Sequence, residues 1–234
     1  YTKVTTSGEE MVSLFPNTKN YKNKIKVVRG EIKLIENATE QEKLWASEIG
    51  IESQITDVWD GSTDTAWYDN NKDATSYDIS TAEELAGLAK VVNDGIDTFE
   101  GKTINLMNSL DLNNIKWTPI GYQHEGYIFC GKFEGNNCVV SNMKITETRG
   151  DYFYSGLFEN VIQLANYNGE VYVKNLILRD SYISGDRAGS IIGYLASNNH
   201  SNAQCSIQNC ASINNYTDGN ESAGGVVNNL FDSV

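Results

Sequence analysis

Two carboxylates make the best case for catalysis. Glu147 and Asp180 each stand five residues beyond an asparagine, Asn142 and Asn175. On adjacent stacked strands such a pair would lie about 5 Å apart, the separation at which a retaining glycosidase sets its acid and its nucleophile. The competing reading, which we adopt, is that both are edge charges relieved by Arg149 and Arg179, because no third column of ionisable residues supports the pair. The Asp-rich run from Asp57 to Asp73 invites calcium. Its spacing, however, is not that of the D-x-[DN]-x-[DN]-G loop closed by a glutamate, so a solvated turn with Trp59 and Trp67 packed in it is expected. The four cysteines include no CxxC pair, and His124 and His200 are far apart. Zinc spacing is therefore missing, and neither a metal nor a cofactor is implied.

A second kind of chemistry is recognition. Asn166, Tyr167, Asn168, Tyr194, Asn198, Asn199 and His200 fall in two segments, about 159–170 and 194–204, whose lengths vary between repeats. Rings stack on the apolar faces of sugars and amides hydrogen-bond their hydroxyls. The same residue types also fill ordinary loops, and His200 alone reads as a solvated loop histidine.

The elements that must carry these residues follow from composition and spacing. The chain has 234 residues, with 13 Tyr and 20 Gly against 2 Pro. That mixture favours many short strands with Gly and Asn corners over a helix bundle. A net charge of −13 argues against nucleic acid and against an anionic membrane surface. No apolar run reaches the length needed to span a bilayer.

From about residue 98 two elements recur. One is a small residue, Gly and an apolar pair, centred on Gly131, Gly156, Gly189 and Gly224. The other is apolar-x-Asn-apolar, centred on Asn142, Asn175 and Asn209. Asn-to-Asn steps are 33 and 34 residues; Asn-to-Gly distances are 14, 14 and 15, whereas Gly-to-Asn distances are 11, 19 and 20. One half of each unit is fixed in length and the other takes insertions, the pattern of a coil with one variable loop. The two-residue phase slips at the asparagine, since Val140 pairs in phase with Asn142 but Met143 with Ile145, so the Asn marks a corner in the left-handed conformation. Stacked coils then place Asn142, Asn175 and Asn209 in one internal amide column. The same alignment sets Cys138 beside Val171 and Cys205, Cys210 beside Leu176 and Met143, and Cys130 beside Ser155, Ala188 and Ala223. All four thiols read as small buried hydrophobes. Cys138 and Cys205 lie too far apart for a disulfide, while Cys130–Cys138 is geometrically open.

Ahead of the repeat, Ser80 with Glu83 in the reciprocal position opens an amphipathic helix over 80–94, with Leu85, Leu88, Ala89 and Val92 on one stripe and Gly95 as its stop. Residues 1–56 hold 8 of the 18 basic residues. They combine a β-like segment around Gly30 with a short helix capped by Thr39, and read as a small α+β segment or docking arm. Residues 57–234 form the repeat domain. The chain opens a new coil at Ala223-Gly224-Gly225 with no visible cap. It is therefore expected to be a fragment of a longer protein, or to make end-to-end contact through that coil.

These residues also resemble a family. Trp59-Asp60-Gly61-Ser62-Thr63-Asp64-Thr65-Ala66-Trp67-Tyr68, then ISTAEELAGLAKVVNDG over 79–95, GKTINL, Trp117-Thr-Pro119-Ile120-Gly121 and GKFEGNN are similar to bacterial surface and secreted proteins built from GLUG-motif repeats. AGSIIGYL and AGGVVNNL stand where the GLUG element falls, although Asn228 replaces its second Gly. The resemblance covers about 57–234 and implies an all-β, right-handed parallel β-helix whose N-terminal end is plugged by the helix. It also implies an extracellular or cell-surface setting and a non-enzymatic, adhesin-like or stalk role toward glycans or host and cell-surface proteins. Alternatives are a polysaccharide-active glycosidase or lyase on the same fold, and a purely structural segment of a larger surface protein. A lyase would need a basic residue beside clustered calcium carboxylates on one face, and the sequence offers none.

Overall fold

The stretch Val171–Arg179 shows how residue order sets the architecture. Val171 and Val173 are buried and alternate with half-buried Tyr172 and Lys174; after Asn175 the phase shifts by one, and Leu176 and Leu178 become the buried pair. A strand alternates with period two, so the shift requires a bend. It is made at Asn175, whose φ is +54°, in the left-handed region that Asn enters more readily than most residues.

A computed structural model of the chain describes residues 25–28, 31–34, 58–122, 127–146, 153–197 and 204–232. The chain divides into two compact units, Tyr1–Thr56 and Asp57–Val234. In the first, β1 (Ile25–Val28) pairs antiparallel with β2 (Glu31–Leu34), Val28 opposite Glu31. The expected helix over 39–49 lies outside the described residues.

The second unit is a parallel β-helix of about three turns. It opens with a short helix, α1 (Ala66–Asp69), the strand β3 (Ser76–Ile79) and a longer helix, α2 (Ala82–Asn93). The incomplete first coil holds β4 (Thr103–Leu106) and β5 (Leu110–Asp111). The next holds β6 (Lys132–Ser141), β7 (Lys144–Thr146), β8 (Tyr154–Ser155) and β9 (Phe158–Gln163). Then come β10 (Val171–Arg179), β11 (Tyr182–Gly189) and β12 (Ile192–Ser197). The last coil is β13 (Cys205–Gln208), β14 (Ala211–Ile213), β15 (Tyr216–Gly224) and β16 (Val227–Asp232). One sheet stacks β3, β4, β6, β10 and β13, a second β7, β11 and β15, and a third β9, β12 and β16. Every pairing between these strands is parallel.

Like residues recur at like positions through the stack. Tyr77, Ile104, Phe133, Val173 and Ile207 occupy one register column. Phe129, Val161, Leu195 and Leu230 occupy another. Aromatic rings fill the space between columns: Phe158 lies 5.3 Å from Phe129 and 5.2 Å from Phe133, centroid to centroid. Phe129, Phe133 and Phe158 are all completely buried.

The helix α2 leaves β3, the outermost strand of its sheet, and buries Leu85 and Leu88 completely in the same core. Its cap lies one residue later than the sequence suggests. Thr81, not Ser80, accepts from the backbone N–H of Glu84, and the Glu84 carboxylate accepts in return from the N–H of Thr81 at 3.2 Å and of Ser80 at 2.6 Å. The strand ends at Ile79, so Ser80 serves as the link into the cap. At the far end Asn93 ties the helix to the first coil. Its Nδ2 donates to the Pro119 carbonyl at 2.9 Å, and its Oδ1 accepts from Gly121 N at 2.9 Å and Tyr122 N at 2.8 Å. Among the described residues no helix is long and apolar enough to cross a membrane.

The single amide column is corrected to two. Asn175 does stand next to Asn209: Asn209 Nδ2 donates to Asn175 Oδ1 at 3.1 Å. Below them the column continues into Glu134, whose Oε1 accepts from Asn175 Nδ2 at 2.6 Å. Asn142 belongs to a different corner, in which Ser141 pairs with Arg179, Asn142 donates to Asp111 Oδ1 at 2.8 Å, and Asn214 donates to Asp180 Oδ1 at 2.5 Å. The left-handed backbone is nevertheless common to all three expected residues, with φ of +56°, +54° and +52° at Asn142, Asn175 and Asn209. The misalignment comes from β6. Glu134 pairs with Lys174 and Cys138 with Leu176, so Gly135, Asn136 and Asn137 take the place of Asn175 alone. A 33-residue count therefore lands on the wrong corner.

Of the glycines, Gly156, Gly189 and Gly224 share a corner, since Ser155 pairs with Ala188, Ala188 with Ala223 and Gly189 with Gly224. A Cβ on Gly189 would lie 2.2 Å from the Ile192 carbonyl oxygen. Gly131 stands elsewhere: Phe129 pairs with Val161, and a Cβ on Gly131 would meet the Phe99 carbonyl. The same correction moves Cys130 out of the Ser155–Ala188–Ala223 column and sets Cys138 against Leu176 rather than Val171, while Val171 does face Cys205. Cys210 falls opposite Leu176, between the paired Gln208 and Ala211, and so apart from Met143. All four cysteines stand as thiols outside any disulfide; Cys130 is buried and the other three are half-buried.

Candidate binding surface

The strand β9 runs through residues 158–163 before the first variable segment begins, so that loop is the turn over 164–170. Gln163 anchors it from inside. It sits two residues beyond Val161 on a strand buried almost throughout, an amide at a position where the two-residue phase calls for an apolar side chain. Its Nε2 donates to the carbonyls of Tyr167 at 3.1 Å and Gly169 at 2.9 Å. Its Oε1 accepts from Ser197 Oγ at 2.7 Å and Gln204 N at 2.9 Å. A fully buried amide must satisfy its polar atoms within the fold, and here it does so on the turn over 164–170 and on Ser197 and Gln204.

On this turn Asn166 and Asn168 are exposed and Tyr167 is half-buried, packed against the core. Burial pushes the Tyr167 hydroxyl above its ordinary pKa. The ring is thus largely committed to packing, and the exposed polar residues of the turn are Asn166, Asn168 and Glu170. Asn198 and His200 lie outside the described residues.

Tyr194 is a strand residue, not a loop residue: it pairs with Asn160 in β9 and Asn229 in β16. Its ring centroid is 5.0 Å from that of Tyr154. Around Tyr154 the side chains form a ladder across three coils. Arg187 Nη1 donates to the Tyr154 hydroxyl at 3.1 Å, Asn229 Nδ2 donates to it at 3.1 Å, and Arg187 Nε donates to Glu221 at 2.6 Å. Arg187 is separated from Tyr154 by 33 residues and from Glu221 by 34, so the repeat period was the signal that could have identified this cluster. Beside it lies a small cleft lined by Trp117, Pro119, Tyr122, Ile145, Phe153, Tyr154, Ser155 and Glu159. Its cavity of about 10 Å³ has room for a water-sized group only, against several hundred Å³ for a typical small-molecule site.

Of the two carboxylates of the catalytic alternative, Asp180 alone lies among the described residues. Asp180 stands in register with Asn142, since the preceding residues Ser141 and Arg179 are partners. Its carboxylate takes the Asn214 amide and lies 3.4 Å from Arg179 Nε. Glu147 lies outside the described residues. In the Asp-rich turn three of the carboxylates are engaged locally. Asp60 accepts from Ser62 N, Asp64 from Ala66 N, and Asp69 from Thr65 Oγ1 while pairing with Lys72. Trp59 is buried 5.6 Å from Trp117, and Trp67 packs 6.1 Å from Phe99. Among the described residues no three His, Cys, Asp or Glu side chains stand close enough to share an ion. Burial pushes the Cys130 thiol up to about 11 and the Cys205 thiol to about 12, which leaves little thiolate for nucleophilic chemistry at neutral pH.

Comparison of the chain with protein-family models, with curated proteins and with solved structures finds no match.

Proposed function

We propose that the chain is a non-enzymatic, extracellular or cell-surface repeat module of the GLUG-motif type that presents a rigid surface to glycans or to other surface proteins. The observation that carries this reading is the turn over 164–170, where the buried amide of Gln163 holds two exposed amides, Asn166 and Asn168, on a close-packed frame. Preorganised amides on a stiff scaffold lose little entropy when they bind. The filled interior supports the same reading, because stacked aromatic rings occupy the space in which a small-molecule site would be enclosed. A glycan array probed with the parent chain and with an Asn166→Ala/Asn168→Ala variant tests it. Loss of hits in the variant supports the proposal. Reducing-sugar release from a polysaccharide panel would replace it with the enzymatic alternative.

A second reading, an assembly role, rests on the last coil. Leu230 continues the interior column above Leu195, yet is 67% exposed, and its neighbour Phe231 is 52% exposed. Among the described residues the strands β13, β15 and β16 stand outermost in their sheets, and an outer strand can pair with a further one. Concentration-dependent association measured by analytical ultracentrifugation, abolished by Leu230→Lys, would favour end-to-end contact through this coil.

A further inference from the structure

On the outer face of the second sheet two tyrosines stand one above the other. Tyr182 in β11 and Tyr216 in β15 are register partners on adjacent parallel strands. Their ring centroids are 5.0 Å apart and the ring planes differ by 7°. That separation nearly equals the strand spacing of about 4.8 Å, so both side chains leave the backbone in the same direction and hold their rings in step. The backbone fixes each from the coil before: Tyr182 N donates to the Met143 carbonyl and Tyr216 N to the Ser181 carbonyl, both at 2.8 Å. The two residues are nevertheless 41% and 54% exposed. Tyr216 also donates from its hydroxyl to Asp218 Oδ2 at 3.4 Å.

We infer that this pair is a site of oxidative cross-linking, at which a one-electron oxidant of the haem-peroxidase class joins Tyr182 to Tyr216 as dityrosine. Each phenol gives up one electron and one proton to leave a phenoxyl radical, whose unpaired density lies partly on the ring carbon next to the C–O bond. The two radicals couple there and form one C–C bond between the rings. The hydrogens on the joined carbons then move to the oxygens and restore both phenols. Two hydrogen atoms are lost in all, and one hydrogen peroxide takes them up to become two waters. Stacking lets the second ring stabilise the first electron hole, and the Asp218 carboxylate accepts the phenolic proton as that electron leaves. The new bond ties β15 to β11 across 34 residues of chain and needs no ligand.

Other tyrosine pairs lack this combination. Tyr154 and Tyr194 have the same 5.0 Å centroid separation, but their planes are 38° apart. Arg187 lies over the Tyr154 ring, 5.5 Å from its centroid, and donates to its hydroxyl; a fixed cation there opposes removal of an electron. Tyr68 and Tyr77, 5.8 Å apart, are both buried and so out of the oxidant's reach.

Treatment of the dilute intact chain with a haem peroxidase and hydrogen peroxide, followed by dityrosine fluorescence and peptide mass mapping of the monomer-sized product, tests this. A link between Tyr182 and Tyr216, two hydrogens lighter than the sum of its peptides, is expected in the parent chain. It is expected to be lost in Tyr182→Phe and in Tyr216→Phe, which keep the stacked rings, and retained in Tyr194→Phe. Dityrosine confined to links between chains, or a monomer-sized product that persists in Tyr216→Phe, would overturn the inference. So would the absence of any link while free tyrosine in the same reaction is converted.

Discussion

Asn209 donates from Nδ2 to Oδ1 of Asn175, one coil earlier, at 3.1 Å. Asn175 in turn donates to Glu134 at 2.6 Å. Both asparagines hold a left-handed backbone, with φ of +52° and +54°, so the residue type satisfies two demands at once. The short side chain lowers the cost of the corner, and the amide links each coil to the one beneath it.

These two contributions can be separated by mutation. Asn175→Gly retains the backbone freedom and loses the amide, and is expected to cost about 1–2 kcal/mol for its two hydrogen bonds. Asn175→Ala should cost about 1–2 kcal/mol more, because alanine pays the full penalty of the left-handed region. Urea denaturation measures both, and equal losses for the two variants would remove the backbone from the explanation.

The packed aromatic interior sets the largest single-residue effect. Phe158 touches both Phe129 and Phe133 and is completely buried, so Phe158→Ala is expected to cost about 3–5 kcal/mol. Ile213, 49% exposed on the last coil, provides the control; Ile213→Ala should stay within about 0.5 kcal/mol. Thermal or urea unfolding followed by circular dichroism distinguishes them.

Alkaline pH should weaken the helix-capped end. Burial, with the neighbouring Asp97 carboxylate, pushes the Tyr68 hydroxyl up to about 12, and Tyr68 donates to Asp97 Oδ2 at 3.1 Å. The folded state therefore favours the neutral phenol. Its contribution is fully present below pH 10, where the unfolded phenol is also neutral, and is lost as pH rises toward 12. The decline of the urea midpoint above pH 10 is expected to be shallower in Tyr68→Phe than in the parent chain. Phenolate absorbance that titrates Tyr68 near 10 in the folded chain would contradict it.

Much of the fold was written in local pattern. The near-constant spacing from Asn175 to Gly189 and from Asn209 to Gly224 registers those two coils, so Gly189 faces Gly224, whereas Ser155 aligns with Ala188 although Asn142 sits at a different corner. The amide at the corner was legible as well, because the hydrophobic phase slips there. Which corner each Asn occupies was not legible, since the triplet Gly135–Asn137 lengthens one bend without disturbing the flanking strands. The surface was harder still. Tyr167 and Tyr194 look alike in a string of letters, yet one packs into a turn and the other pairs across strands. Gln163 acts through backbone carbonyls and an N–H, and these carry no residue-specific signature.

The parallel stack and its two corner columns are tested most directly by a cross-link. Lys144 and Tyr182 are partners on adjacent parallel strands, and both are exposed; neighbouring strands run about 4.8 Å apart, within reach of a disulfide. Under mild oxidation Lys144→Cys/Tyr182→Cys is expected to form that bond, identified by peptide mass mapping, while Lys144→Cys/Ile177→Cys, the partner demanded by a single column of Asn142 and Asn175, is not. The reverse result, a bond from residue 144 to residue 177 and none to residue 182, would contradict the stacking described above.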